Sequence, residues 1–157
     1  MRPKGAAWRR SGSPAEVAVD YRALADFRYA IRKFLAFSET AAAEAGLSSQ
    51  QHQALLTIKG IAESGGLSIG ALAGRLFVRH HTAVELIDRL ERIGLVYRAP
   101  DPKDGRRVLV ALTEEGEMRL RQLASVHLDE LSSVGPQLID ILASLLDAQP
   151  KQDSRSG

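Results

Sequence analysis

The residues of this chain that could do chemistry are its histidines and its paired arginines, and the histidines indicate little. His80 and His81 are neighbours in the sequence. Adjacent positions on a helix point about 100° apart, so these two rings cannot hold one metal ion together. The acidic residues show no paired arrangement for acid–base catalysis, no Ser/His/Asp set has support, and cysteine is absent. The sequence thus predicts a protein that is not an enzyme and that uses no metal and no cofactor.

The paired arginines indicate more. Arg106 and Arg107 lie in "DPKDGRRVLVALT", residues 101–113. Asp101 followed by Pro102 suits the first two positions of a type I turn, and the alternating apolar residues after the arginines predict a strand. Two guanidinium groups at the tip of a hairpin can reach phosphates or the narrow minor groove of DNA. From charge alone, a solvated loop explains them as well.

Four helices are predicted ahead of this hairpin, because apolar residues recur there every three or four positions. Serine caps are expected to begin the second and third helices, and glycines to end the first, second and fourth. The four run from about Asp20 to Ala45, from Ser48 or Ser49 to Gly65, from Ser68 to Leu76 and from Arg79 to Gly94.

After the fourth helix the apolar period changes from 3.6 to 2. This change predicts two short strands, residues 95–99 and 108–113, joined by the arginine turn. Thr113 is then expected to cap a long helix with an acidic first turn, where the helix dipole favours carboxylates. Gly135 and Pro136 are expected to break that helix, and Pro136 to begin a last one.

Two short helices joined by a tight turn and followed by a two-stranded hairpin make a winged helix-turn-helix. The helix that begins near Arg79 would bury its apolar side against the helix before it. Positions 81, 85 and 88 must then face outward, where they can enter a major groove. The predicted fold class is mainly α with a small β-hairpin: a winged helix-turn-helix with flanking N- and C-terminal dimerisation helices.

Three segments in the order "LAGRL", "LIDRLERIGLVYR" and "DPKDGRRVLVALTEEG" carry a resemblance to a known family. The chain resembles the MarR family of bacterial winged-helix transcriptional regulators from about Leu24 to Leu145. Each segment alone would be weak, but all three with matching spacing form a strong signal. The family's wing pattern, Asp-x-Arg, a strand and then Leu-Thr-x-x-Gly, is met by Asp104, Arg106, Leu112, Thr113 and Gly116.

The resemblance implies a two-fold dimer that reads a pseudo-palindromic operator in double-stranded DNA, as a repressor released by a small-molecule ligand. Arg106 would enter the minor groove while Asp104 holds its guanidinium in place. The implied DNA-contacting residues are Arg79, His80, His81, Thr82 and Glu85 on the recognition helix and Lys103, Asp104, Arg106 and Arg107 in the wing.

The recognition helix departs from the family in two places. An Arg-His-His run precedes Thr82 where Ser or Thr is frequent, and Glu85 stands where a basic or polar residue is more usual. A glutamate can accept a hydrogen bond from a cytosine amino group but repels phosphates. Residues 79–107 include seven basic and five acidic side chains, a modest excess for DNA binding. The base sequence recognised stays open, and so does an alternative function as a winged-helix protein-interaction module without an operator.

The resemblance also implies a ligand site near the first, second and fifth helices, for a small aromatic or anionic compound. A regulator without any ligand is the alternative. His52 could equally pack at a surface, and His127 is expected at a surface or in a dimer interface. The candidate ligand contacts are Phe27, Arg28, Ile31, His52 and Leu56.

The first helix and the last two have more apolar surface than one small core can cover. We therefore expect a homodimer, because a second copy would cover that surface. Its seam is expected at Leu24, Ile31, Leu138, Ile141 and Leu145.

Length and composition indicate one soluble domain, with 157 residues, 45% hydrophobic and 25% charged. The formal net charge of +2 does not by itself argue for a polyanion partner. No apolar run approaches the roughly 20 residues that span a membrane, and no secretory signal follows the basic N-terminus, so we expect a cytoplasmic protein without a membrane partner. The expected domain is 17–148, with a DNA-reading head at 47–113 between dimerisation helices at 17–46 and 114–148; 1–16 is expected to be a disordered basic arm and 149–157 a disordered tail.

Overall fold

Five helices and three short strands make up the part of the chain that the structure, a computed structural model, describes: residues 19–62 and 65–147. The expected arm, 1–16, and tail, 149–157, lie outside the described residues. The order of elements confirms the winged helix-turn-helix. They are α1 (Tyr21–Glu44), α2 (Ser49–Ile61), β1 (Leu67–Ser68), α3 (Ile69–Leu76), α4 (His80–Arg92), β2 (Val96–Pro100), β3 (Val108–Leu112) and α5 (Glu114–Asp147).

Serine side chains begin α2 and α3, as predicted. The Ser48 hydroxyl accepts from the backbone N–H of Gln51 at 3.1 Å, and the Gln51 side chain accepts from the backbone N–H of Ser48 at 2.8 Å. This reciprocal pair satisfies two donors that the first turn of a helix leaves free. Ser68 accepts from the backbone N–H of Ala71 at 3.2 Å. Both caps fix where the helices of the head start.

The core lies between α2, α3, α4 and the sheet. The helices contribute the apolar sides that the periodicity predicted, and the strands β2 and β3 contribute Val96, Leu109 and Val110. The largest side chains that are fully buried are Leu55, Ile58, Leu72, Ile87, Leu90, Leu95, Val96 and Val110.

A third strand, β1, was not predicted. It pairs antiparallel with β3, which also pairs with β2, so the strand order is β1-β3-β2. Two residues are too short to show an alternating pattern, so the sequence carried no periodic signal for β1. Gly66 precedes it with φ +124°, and a Cβ there would lie 2.5 Å from the Val110 carbonyl oxygen. Glycine is needed at this position to bring β1 against β3. The second helix, α2, ends at Ile61 rather than at the predicted Gly65.

The predicted break at Gly135 and Pro136 is wrong, because α5 is one helix of 34 residues with Pro136 inside it. A proline removes one helical hydrogen bond and crowds the carbonyl four residues earlier. Leu131, Leu138 and Leu145 are spaced by seven residues across the proline. The apolar stripe therefore stays on one face of a helix that continues through the proline.

The two long helices, α1 and α5, pack against each other. Each also keeps large apolar side chains in solvent. No helix in 19–62 or 65–147 is long and apolar enough to cross a membrane. The exposed apolar side chains are Tyr21, Leu24, Tyr29, Ile31 and Leu35 on α1, and Met118, Val126, Leu128, Leu131, Ile139, Leu142 and Leu146 on α5.

Candidate nucleic-acid interface

The exposed side of α4 carries His80, His81 and Glu85, three of the five residues predicted for the recognition helix. Its buried side anchors the helix through Ala83, Leu86, Ile87 and Leu90. The opposite side, which we call the recognition face, consists of His80, His81, Glu85 and Asp88, all exposed. Thr82 is half-buried beside it, and Arg79 is the residue before the first turn.

A tight turn sets the direction of α4 relative to α3. The backbone N–H of Phe77 donates to the Gly74 carbonyl at 3.4 Å, and that of Val78 donates to the Ala73 carbonyl at 3.1 Å. These two bonds close the C-terminus of α3. The chain is then free to start α4 at His80 only three residues after α3 ends.

The wing turn, residues 101–107, is held by its own backbone and carboxylates. The Asp101 backbone N–H donates to the Arg107 carbonyl at 2.9 Å, and Asp101 Oδ1 accepts from the Lys103 backbone N–H at 2.8 Å. Asp104 Oδ1 accepts from the backbone N–H of Arg106 at 3.2 Å. The expectation that Asp104 holds the Arg106 guanidinium is therefore corrected: the carboxylate fixes the turn and leaves that guanidinium in solvent.

Arg98 links the wing to the recognition face, a contact that the sequence reasoning missed. Its guanidinium, on β2, donates to Asp88 Oδ1 at 2.6 Å and to Glu91 Oε2, both on α4. Partial burial works against the charged form, but the hydrogen bonds and charges of Asp88 and Glu91 outweigh it and keep the pKa of Arg98 above its usual range. The sequence shows a basic residue on β2 and acidic residues on α4, but it does not show which of these acids the arginine contacts.

These pairings change the electrostatics of the surface. Glu85 Oε2 lies 3.7 Å from the guanidinium of Arg89, so the three acids on or beside the recognition face all have basic neighbours. By contrast, the exposed side chains of Arg79, Lys103 and Arg106 have no carboxylate partner within 4.0 Å among the described residues. Asp104 likewise has no basic partner among the described residues, so bases outnumber acids among the unpaired side chains of this surface.

The Leu-Thr-x-x-Gly part of the wing pattern holds the start of α5 in place. The Thr113 hydroxyl donates to the Gly94 carbonyl at 2.6 Å and accepts from the Gly116 backbone N–H at 3.1 Å, while the Thr113 backbone N–H donates to the Leu95 carbonyl at 3.0 Å. A Cβ on Gly116 would overlap that carbonyl oxygen. Thr113 and Gly116 thus fasten the start of α5 to the turn between α4 and β2.

His52 and His127 are buried next to each other. His127 is 9% exposed and His52 4% exposed, so the prediction that His127 lies at a surface is wrong. Its Nδ1 donates to the Leu123 carbonyl at 2.6 Å, since a carbonyl can only accept, and its Nε2 is hydrogen-bonded to the Ser38 hydroxyl at 2.7 Å. Phe34 and Phe37 lie edge-on to the same ring.

His52 has fewer polar contacts. Its ring centroid lies 4.7 Å from that of His127, and its Nδ1 is buried without a hydrogen-bond partner in the described part of the chain. Burial, and secondly the charge of His127, lower the pKa of His52.

The other residues of the predicted ligand site are spread along the helices. Phe27 is half-buried on α1, while Arg28 and Ile31 are exposed on the same helix. Leu56 lies in a cleft of about 270 Å³ with Lys59 and with Glu117, Leu120, Arg121 and Ala124 of α5. In the described part of the chain, His52 is buried inside the protein, whereas Leu56 lines this cleft. The contact of one ligand with both residues remains a prediction.

Comparison with known proteins identifies the same segment as the sequence motifs. The family model described as MarR family matches residues 45–107. The chain is similar to the uncharacterised HTH-type transcriptional regulator Mb0904 of Mycobacterium bovis, with 33% identity over 116 residues, 66% of this chain and 78% of that protein. It is 32% identical over 78 residues to the uncharacterised HTH-type transcriptional regulator YsmB of Bacillus subtilis and spans about half of that relative's length, 53%.

Solved structures show the same fold. MepR, a transcription regulator of the Staphylococcus aureus multidrug efflux pump MepA, superposes with a TM-score of 0.69 at 20% identity, over 83% of this chain and 98% of that one. The S. aureus MepR–DNA complex superposes with a TM-score of 0.58 at 22% identity, over 80% and 99%. The wing pattern, the matched head and the relative of similar length agree, and the chain belongs to the MarR family of winged-helix transcriptional regulators.

Proposed function

We propose that this protein is a sequence-specific DNA-binding transcriptional regulator that works as a homodimer. The observation that carries the proposal is the contact of Arg98 with Asp88 and Glu91. This contact places the wing strand beside the recognition face, so one helix and one turn are presented to the same partner.

In this proposal α4 enters the major groove and the wing turn follows the adjacent minor groove. His80, His81, Thr82 and Glu85 supply donors and acceptors for base edges, and Glu85 is suited to a cytosine amino group. Arg106 enters the minor groove, whose narrow A·T-rich form attracts guanidinium groups. Arg79, Lys103 and Arg107 bind phosphates, which position the protein without specifying sequence.

A second copy is proposed to cover the exposed apolar sides of α1 and α5. Contiguous apolar surface of this kind marks an interface in a soluble protein. A two-fold dimer carries two heads, so it reads two half-sites of a pseudo-palindrome. Covering a promoter in this way excludes other proteins from it, and repression is the outcome we propose.

Ligand control is proposed at the junction of α1, α2 and α5. A small aromatic or anionic compound near Phe27, Arg28, Ile31, His52 and Leu56 need only favour a dimer whose heads have the wrong separation. A coupling of roughly 1–3 kcal/mol changes DNA affinity about 5- to 150-fold. Thermal shift against a panel of aromatic acids tests this part, and a panel without any shift would contradict it.

The DNA-binding proposal is tested by selecting bound duplexes from a random library and titrating salt against the selected site. Arg106→Ala should weaken binding roughly tenfold and reduce the salt slope by about 1. Arg32→Ala, which removes an equal charge from an exposed position on α1, should change little. Should the wild-type protein bind no duplex at low salt, the regulator proposal fails and the protein-interaction module takes its place.

A further inference from the structure

The turn between α3 and α4 contains the one residue other than glycine that has a positive φ among the described residues. Phe77 has φ 53° and ψ 39°, in the left-handed region, and closes the C-terminus of α3. Helices that end in this way usually place glycine there, because a Cβ crowds the following carbonyl in this conformation. A phenylalanine at this position strains the backbone.

The side chain of Phe77 gains no stabilising packing from the rest of the described chain. Phe77 is 96% exposed, the highest value among the large apolar residues that the structure describes. A strained backbone and an apolar ring in water both destabilise the folded protein. Since no intramolecular packing offsets either cost, the ring is better explained by a contact outside the chain.

The surroundings of Phe77 indicate the charge of that partner. Arg75, Arg79 and His80 are exposed on either side of it. Neither arginine has a carboxylate partner within 4.0 Å in the described residues. The surface around the ring is therefore positive, so it fits an anionic partner that also offers apolar atoms. Duplex DNA has both, in its phosphates and in its deoxyribose rings and thymine methyl groups.

We propose that Phe77 contacts DNA directly. The ring packs against a deoxyribose or a thymine methyl at the edge of the major groove, while the neighbouring arginines bind phosphates. The position agrees with this role, because Phe77 lies two residues before Arg79, at the end of α4 that leads into the groove. The inference rests on the proposed DNA-binding function and adds an apolar contact to it.

The test uses Phe77→Gly, which is expected to have opposite effects on folding and on binding. Phe77→Gly relieves the strain, so the protein should melt about 3 °C higher. The same variant should bind the selected duplex roughly tenfold more weakly, since the ring contact is lost. Phe77→Leu keeps an apolar side chain and should retain part of the affinity. Ile93→Ala, which removes an apolar side chain that is 47% exposed at the C-terminal end of α4, should leave DNA binding unchanged.

A more stable variant that binds less DNA cannot be explained by unfolding. If Phe77→Gly binds the duplex as tightly as the wild type, the inference is overturned while the DNA-binding function stands. If the wild type itself binds no duplex, the proposed function has failed first. Replacing each thymine of the site by uracil, one at a time, separates the two contacts. If one replacement weakens DNA binding by the wild type but not by Phe77→Gly, the ring contacts that thymine methyl group. If no replacement does so, the ring contacts deoxyribose.

Discussion

The imidazole rings of His52 and His127 lie 4.7 Å apart and join α2 of the head to α5. Ser38, Phe34 and Phe37 of α1 complete the surroundings. The pair is thus buried where all three helices meet.

The first prediction concerns acid. Because the pKa of His52 is lowered in the folded protein, the unfolded chain takes up the proton more readily. Stability should be constant above the ordinary histidine pKa of about 6.5 and should fall as pH decreases below it, by at most about 1.4 kcal/mol per pH unit for one proton. Urea unfolding at pH 7.5, 6.0 and 5.0 measures this. His52→Phe should flatten the dependence and exposed His81→Gln should not; equal slopes in both variants would contradict the assignment.

The second prediction concerns the glycine of the wing pattern. Gly116→Ala should destabilise the protein by about 1–3 kcal/mol, because its Cβ overlaps the Leu95 carbonyl oxygen. Gly60→Ala is the matched control, since nothing lies within 4 Å of a Cβ there. It should stabilise α2 by about 0.5–1 kcal/mol. Chemical denaturation compares the two, and a neutral Gly116→Ala would show that α5 can shift away from the head.

The third prediction concerns Arg98. Arg98→Ala should leave Asp88 and Glu91 uncompensated beside the recognition face, so the affinity for DNA should fall at least about tenfold at low salt. Fluorescence anisotropy at fixed ionic strength measures the loss. Adding Asp88→Asn and Glu91→Gln to the same variant should restore most of the affinity. Failure to restore it would mean that Arg98 acts through the position of the strand rather than through charge.

The fourth prediction concerns the dimer. Ile139 and Leu146 are 66% and 69% exposed, seven residues apart on one face of α5. Glutamate at both positions should give monomers at micromolar concentration, whereas the wild type should sediment as a dimer. Asp140→Ala, on a neighbouring exposed position of the same helix, should remain dimeric. A wild-type protein that sediments as a monomer would contradict the proposed dimer interface.

Much of the fold followed from the sequence because its signals are local. The caps at Ser48 and Ser68 depend on residues three positions away, and the wing turn depends on Asp101, whose carboxylate accepts from the backbone N–H two residues later. Periodicity alone gave the buried side of α4. Local information of this kind needs no knowledge of the rest of the chain.

One error came from an interaction over a long sequence distance. The sequence places Ser38 and His127 89 residues apart, so nothing local showed that His127 is buried. Pro136 was given its usual role as a helix breaker, whereas α5 continues through it. Phe77 was predictable in part: a tight turn between two helices needs a residue with positive φ, and the sequence has no glycine between Leu76 and His80.

The unbroken course of α5 has a mechanical consequence. Its first turn is fastened to the head through Thr113 and Gly116, and its 34 residues extend about 50 Å at about 1.5 Å per residue. The helix can therefore act as a lever arm: pivoting by about 5° around its far end would move the wing end by roughly 4 Å. In the proposed dimer, a continuous helix of this length would turn a small repacking between the two copies into a change in the span between their heads.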